Sequence, residues 1–252
     1  MKILILALAI AAVVPQQQLK KEKQTLTDFR IADSKPGPAI PAATQRAVLS
    51  KLFRRYLTDE SKCDPQFDPS GNADRLKAAR NAGQIVPSIS DSATGSFTAA
   101  GQTQTAYLIS VSECNASHAE NYGTKRIAIF AGQQLVADVD ADFRQNIKLK
   151  TDLNSDGINE LLMTTGDMNQ GTLIEMASLV SLQNGRLKVI QEFGTVVEDS
   201  CASGSAGSSA SAAVISISDV VPGEMPQLKQ ENYVSSCRNV KRWRFVSSGR
   251  MQ

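Results

Sequence analysis

Histidine is almost absent from this chain of 252 residues, which contains only His118. A zinc site built from His and Cys needs closely spaced ligand pairs, so the single histidine and the widely spaced cysteines argue against one. A Ser-His-acid hydrolase would have to use His118 as its base. Residues 203–207 are only superficially similar to a nucleophile elbow, because Ser203 occupies a glycine position of that motif. We therefore predict no catalytic residue and expect that the chain is not an enzyme.

An excess of charge is also missing, since 27 Lys and Arg stand against 25 Asp and Glu, for a formal net charge of +2. Nucleic-acid binding needs a broad basic surface, so we expect no nucleic-acid partner. The basic and aromatic segment 241–246 is interpreted as an edge strand instead. In such a strand Trp243 and Phe245 share one face, while Arg242 and Arg244 share the other.

Long hydrophobic runs are limited to residues 3–14, which follow Lys2. One positive charge before about a dozen apolar residues is typical of a signal peptide, and the run is short for a membrane span. We predict a signal peptide over residues 1–18, with an uncleaved N-terminal anchor as the alternative. The mature chain is then expected to have no membrane span and to be secreted or periplasmic.

The four cysteines form an even set, as expected for disulfides in an oxidising compartment. Three pairings are possible. We favour the two local bridges, Cys63 with Cys114 and Cys201 with Cys237. The first would tie the N-terminal helical segment to the sheet, and the second would clip a polar loop to the C-terminal region.

Hydrophobic periodicity divides the remaining chain into three parts. Residues 19–42 are rich in Gln, Lys, Pro and Ala and predict a flexible leader. Residues 43–100 predict a helical arm and linker, because apolar residues recur at helical spacing over 44–57. Residues 101–252 predict a β domain of short alternating segments, with a type I′ hairpin at Asn184-Gly185. The predicted fold is mainly β, an antiparallel sheet domain that is propeller-blade-like or a sandwich, with an N-terminal amphipathic helix.

The most informative segment is 152–160, which has the pattern D-x-N-x-D-G-x-x-E. Its polar residues alternate, and Gly157 permits a sharp turn, so several oxygen atoms can converge on a hard cation such as calcium. An EF-hand does not fit, because Met163 stands where that loop needs a bidentate Glu. The simpler alternative is a polar turn. The predicted calcium ligands are Asp152, Asn154, Asp156, the carbonyl of Ile158, and Glu160.

The segment resembles the FG-GAP or VCBS-type repeat over about residues 145–193. The resemblance rests on Asp152, Asn154, Asp156, Gly157 and Glu160, followed by two leucines, and the chain carries one clear copy. It implies a calcium loop between strands of a β-propeller blade.

The predicted function is that of an exported calcium-binding β domain in which calcium is structural. The domain would act as a binding or interaction module for an unidentified protein or glycan at the cell surface. One alternative is a secreted hydrolase that uses carboxylates near Asp138 and Asp140, which share a strand face. The other is a periplasmic inhibitor or chaperone-like protein acting through exposed loops.

Overall fold

Two antiparallel sheets and two short α-helices make up the part of the chain that the computed structural model describes, residues 23–31, 39–69, 71, 74–116, 123–203, 207–239 and 242–250. The predicted signal peptide and His118 lie outside these ranges. The helices are α1 (Ala42–Leu52) and α2 (Arg75–Ala82). The strands are β1 (Gln24–Asp28), β2 (Ile85–Gly95), β3 (Gln104–Glu113), β4 (Thr124–Ala131), β5 (Gln134–Asp142), β6 (Asn146–Thr151), β7 (Glu160–Asn169), β8 (Thr172–Ser181), β9 (Lys188–Asp199), β10 (Ser209–Ser218), β11 (Gln227–Ser236) and β12 (Arg244–Arg250).

Both sheets are meanders, in which neighbours in sequence are neighbours in space. The small sheet has the order β2-β3-β4-β5, and the large sheet runs from β6 to β12 in sequence order, with β1 added beside β10. Tight turns make this possible: Asn184 and Gly185, for example, both take positive φ (58° and 69°) between β8 and β9. The predicted mainly antiparallel β class is confirmed, and the facing sheets give it a sandwich-like form.

Alternation along the strands of the small sheet gives that sheet two buried faces. In β4, Ile127 and Ile129 face the large sheet, where they meet Leu161 and Met163 of β7. Ala128 and Phe130 point the opposite way, into a cluster with residues of α1 and α2 such as Val48 and Ala79. The helices therefore cover the outer face of the small sheet.

The large sheet encloses a core of its own. Leu162 of β7 and Leu179 of β8 share one cluster with Ile215 of β10 and Leu228 of β11. These strands lie up to four places apart in the sheet, so the sheet must curl for their side chains to meet.

For residues 24–28 alone, strand β1 corrects the prediction of a flexible leader over 19–42. It pairs with β10, because β9 pairs with that strand only at residues 210–212 and leaves the rest of the same edge open. Leu26 and Phe29 pack on the core of the large sheet. Residues 24–28 therefore form a strand because β10, far away in sequence, has an open edge. The composition of the leader does not reveal this edge.

The boundary predicted between the helical arm and the β domain, at residue 100, also differs from the structure. Strand β2 begins at Ile85 and pairs with β3 along its length. It lies at the edge of its sheet, which is where Pro87 is tolerated inside a strand. The helix predicted over 44–57 spans Ala42–Leu52.

The two favoured disulfides are confirmed, Cys63–Cys114 and Cys201–Cys237. The first fixes the segment after α1 to the end of β3, and the second joins the ends of β9 and β11. Within the described ranges, neither helix has the length and apolar character that a membrane crossing requires.

Candidate metal site

The predicted calcium loop joins β6 to β7 and is closed by hydrogen bonds from its own backbone. Asp152 accepts from the N–H of Asp156 (3.2 Å) and of Gly157 (2.9 Å), and Asp156 Oδ1 accepts from the N–H of Ile158 (2.8 Å). Ser155 and Gly157 take positive φ (59° and 83°), which allows the tight winding. Asn154 lies in the same turn, where its Nδ2 donates to Asp156 Oδ2 at 3.0 Å. The fold thus brings together the first three predicted ligands.

Glu160 closes the loop from the first position of β7. The residue is only 2% exposed, and its Oε2 accepts a hydrogen bond from the backbone N–H of Leu153 at 2.9 Å. The pKa of Glu160 is raised to about 7, chiefly by burial; the Leu153 N–H opposes this rise, and the negative charges of Asp156 and Asp152 contribute to it. A buried carboxyl group beside two other carboxylates is costly unless a proton or a cation balances it.

The loop is held against the end of the small sheet through Asn159 and Ser96. Ser96 N–H donates to Asn159 Oδ1 at 2.9 Å, and Asn159 N–H donates to the Ser96 carbonyl at 2.6 Å. The backbone of Gly95 approaches so closely that an added Cβ would clash with Asn159 Oδ1. A Cβ added at Gly157 would lie 3.0 Å from that of Ala100. The β2–β3 connection and the predicted calcium loop are therefore packed as one unit.

A third segment, the β10–β11 turn, meets the loop from the other side. Gly223 N–H donates to the Asn154 carbonyl at 2.5 Å. The same turn carries three exposed apolar side chains, which are Val220, Val221 and Met225 at 51%, 46% and 40% exposure. The loop thus lies where three connections converge, one of which presents an apolar surface.

Gly95, Ser96, Asn159 and Gly223 also belong to this site, although the loop pattern in the sequence does not predict them. Ser96 and Gly223 each lie more than 50 positions from their partners in the loop. Only Asn159 carried a signal, because it is a polar residue at a variable position of the loop pattern, directly before Glu160.

The donor atoms suit a hard cation, because every predicted ligand is an oxygen. Across the described ranges, no three His, Cys, Asp or Glu side chains lie close enough to hold a metal ion by themselves. A calcium shell here would therefore draw on the Asn154 amide and the Ile158 carbonyl as well as the carboxylates. The assignment of Asp152, Asn154, Asp156, Ile158 and Glu160 as ligands stays a prediction.

The residues considered for hydrolysis have ordinary structural partners. Asp138 forms an ion pair with Arg126 at 2.8 Å, and Asp140 accepts from the N–H of Asp142 at 2.8 Å. Ser203 Oγ donates to the Ser200 carbonyl at 2.7 Å. These contacts explain the side chains as strand-face and turn residues.

No model of a known protein family matches the sequence, and no curated protein is similar to it. The resemblance of residues 145–193 to the FG-GAP or VCBS-type repeat therefore stays a prediction that rests on the loop pattern.

Proposed function

We propose that this chain is an exported β domain that binds calcium structurally and serves as an interaction module. The observation that carries the proposal is the buried Glu160, which closes a loop containing Asp152 and Asp156. Three carboxylates in one short loop repel each other, and a divalent cation would replace that repulsion by attraction.

Calcium would act on more than its own loop. The loop is bonded to Ser96 of the β2–β3 connection and to Gly223 of the β10–β11 turn. Fixing the loop therefore fixes both neighbours, and with them the exposed side chains of Val220 and Val221. Exposed aliphatic side chains on a rigid turn suit a protein partner better than a glycan, since apolar contacts form the cores of protein interfaces.

Export is the part of the proposal that rests on the N-terminal sequence and the disulfides. Two bridges among the described cysteines are compatible with an oxidising compartment, where disulfides persist. The predicted signal peptide over residues 1–18 would direct the chain to export.

Thermal unfolding with calcium and with excess chelator tests the metal. Binding at a hundred times the Kd stabilises the folded state by about 2.7 kcal/mol. For a chain of this size that corresponds to a rise in Tm of roughly 5 to 10 °C. The rise should vanish in Asp156→Ala.

The matched control is Asp64→Ala. Asp64 Oδ1 accepts a hydrogen bond from the N–H two residues later, Gln66, at 2.9 Å, as Asp156 does from Ile158 at 2.8 Å. The control variant should keep the full calcium-dependent rise. Equal Tm values for the wild type in calcium and in chelator would refute the metal site and leave 152–160 as a polar turn.

A further inference from the structure

A cleft of about 260 Å³ lies between the turn that joins β5 to β6 and the faces of β7, β8 and β9. The large sheet extends beyond the small sheet here, because burial along β7 gives way to exposure after Thr164. Directly paired residues line its floor, Thr165 with Met176 and Ser178 with Glu192. The cleft shares no residue with the loop 152–160.

Arg144 forms the base of the cleft and is only 8% exposed. Its Nε donates to Ser178 Oγ (2.7 Å), and its two terminal nitrogens donate to Asp142 Oδ2 (2.9 Å) and Glu192 Oε1 (3.0 Å). The guanidinium is thus already committed to two carboxylates and is a poor receptor for an anion.

The same arrangement makes the mouth of the cleft acidic. The side chains of Asp142 and Glu192 are 59% and 61% exposed, yet each has one oxygen held in place by the buried Arg144. Two carboxylates around one guanidinium leave a net charge of −1. Because Arg144 already holds these carboxylates in place, binding a cation between them costs little conformational entropy for ordering their side chains.

An apolar strip begins at this mouth. Phe143 is 78% exposed and Met176 is 47% exposed, and Ile174, two residues before Met176, continues the same face of β8 at 38% exposure. Acidic residues border the strip, since Ile174 pairs directly with Asp167 of β7 and with Glu198 of β9. Directly paired residues share a face of the sheet, so the border lies on the strip's own side.

We infer that this acidic cleft binds a basic segment of a partner protein. A Lys or Arg side chain would place its cation between Asp142 and Glu192 and against the ring of Phe143, where a cation–π contact adds to the ion pair. Apolar residues of the same segment would lie on Met176 and Ile174. The strip extends about 7 Å along β8 beyond the mouth of the cleft. A single bound side chain would not cover this length, whereas a peptide segment would.

Fluorescence anisotropy with a labelled octapeptide of alternating Arg and Leu tests the inference. We expect Glu192→Gln to weaken binding about fivefold at low salt and less at high salt, because screening reduces the contribution of the charge. Phe143→Ala should weaken binding about tenfold at either salt concentration, since it removes the cation–π contact and the ring carries no net charge for salt to screen. A peptide with Glu in place of each Arg should not bind.

Glu175→Gln is the matched control, because Glu175 lies on β8 between Ile174 and Met176 and points to the opposite face. Its binding curve should equal that of the wild type. Equal affinity of the wild type, Glu192→Gln and Phe143→Ala for the peptide would overturn the inference.

Two further outcomes would show that the cleft binds something other than a basic segment of a partner protein. Full competition by hexylamine at the concentration of the peptide's own Arg groups would indicate a small-amine site rather than a peptide site. Concentration-dependent dimerisation of the wild type, lost in Phe143→Ala, would indicate a second copy of this chain. Either result would refute a basic segment of a partner protein.

Discussion

Replacing Phe29 measures how firmly the first strand is attached to the rest of the protein. The side chain is 6% exposed and lies in the core of the large sheet, and its backbone N–H donates to the Ala213 carbonyl at 2.9 Å. Phe29→Ala would leave a cavity among these residues, and such replacements cost about 3 to 5 kcal/mol. At 2 to 4 °C for each kcal/mol, the Tm should fall by roughly 6 to 20 °C.

The chain carries a convenient probe for this measurement. Trp243 is the single tryptophan and packs against the same core, so its fluorescence should report urea unfolding. Ile31→Ala is the control, because Ile31 is 66% exposed only two positions away. Exposed substitutions change the free energy of unfolding by no more than about 0.5 kcal/mol. A loss below about 1 kcal/mol for Phe29→Ala would refute the packing of β1, because the buried ring would then contribute no more than a surface residue does.

Two other predictions concern the charge of Glu231 and the close packing of Gly95 against Asn159. Hydrogen bonds, chiefly from Lys23, hold the pKa of Glu231 down to about 2. The folded state therefore favours the carboxylate, so its stabilisation is complete above about pH 5 and disappears as the pH falls toward 2. Because the lysine is 44% exposed, the effect should be about 1 kcal/mol. Glu231→Gln should flatten the dependence of the urea midpoint on pH in this range, and unchanged curves would contradict the assignment. Gly95→Ala should displace Asn159 and cost about 1 to 3 kcal/mol, since the partly buried hydrogen bond from Ser96 N–H to Asn159 Oδ1 is lost. Gly166→Ala, whose Cβ would have no contact closer than 3.7 Å, should cost less in the same urea titration, and equal losses would argue against the tight approach at Gly95.

Local signals in the sequence were enough for several elements. Asp74 caps α2 by accepting from Lys77 N–H, and Gly83 ends that helix with φ at 73°, as the residue types indicate. The turn at Asn184 and Gly185 and both disulfides were also predictable. In each case the necessary information lies within a few residues, or, for the disulfides, in the even number of cysteines and the preference for local pairing.

Strand β11 shows where such reasoning fails. Its sequence, Gln227–Ser236, is mostly polar and has no clear apolar alternation. Gln230 nevertheless lies inside, at 8% exposure, where its amide donates to Asn232 Oδ1 at 2.8 Å. The strand exists because β10 and β12 pair with it on both sides, which only the assembled sheet reveals.

The two candidate sites also differ in how far the sequence predicts them. The candidate calcium loop is continuous in sequence, so its pattern alone was enough to predict Asp152 to Glu160 as its residues. The acidic cleft draws Asp142, Arg144 and Glu192 from separate strands and turns, and no spacing connects Arg144 with Glu192. A site whose residues are brought together by strand pairing cannot be predicted from the sequence until the register of the strands is known.

The pairing of β1 with β10 also sets an order of folding. Every other pairing among the described strands is a hairpin between consecutive strands, whereas Gln24 pairs with Ile217, roughly 190 residues later. Closing a loop of that length costs about 5 kcal/mol of chain entropy, so this contact forms readily only after the hairpins have shortened the effective loop. Until then the edge of β10 at residues 214–217 is open to the first strand of any neighbouring molecule. Of the described strands, the first along the chain is therefore the last to pair, and at high concentration refolding should yield dimers that exchange this strand.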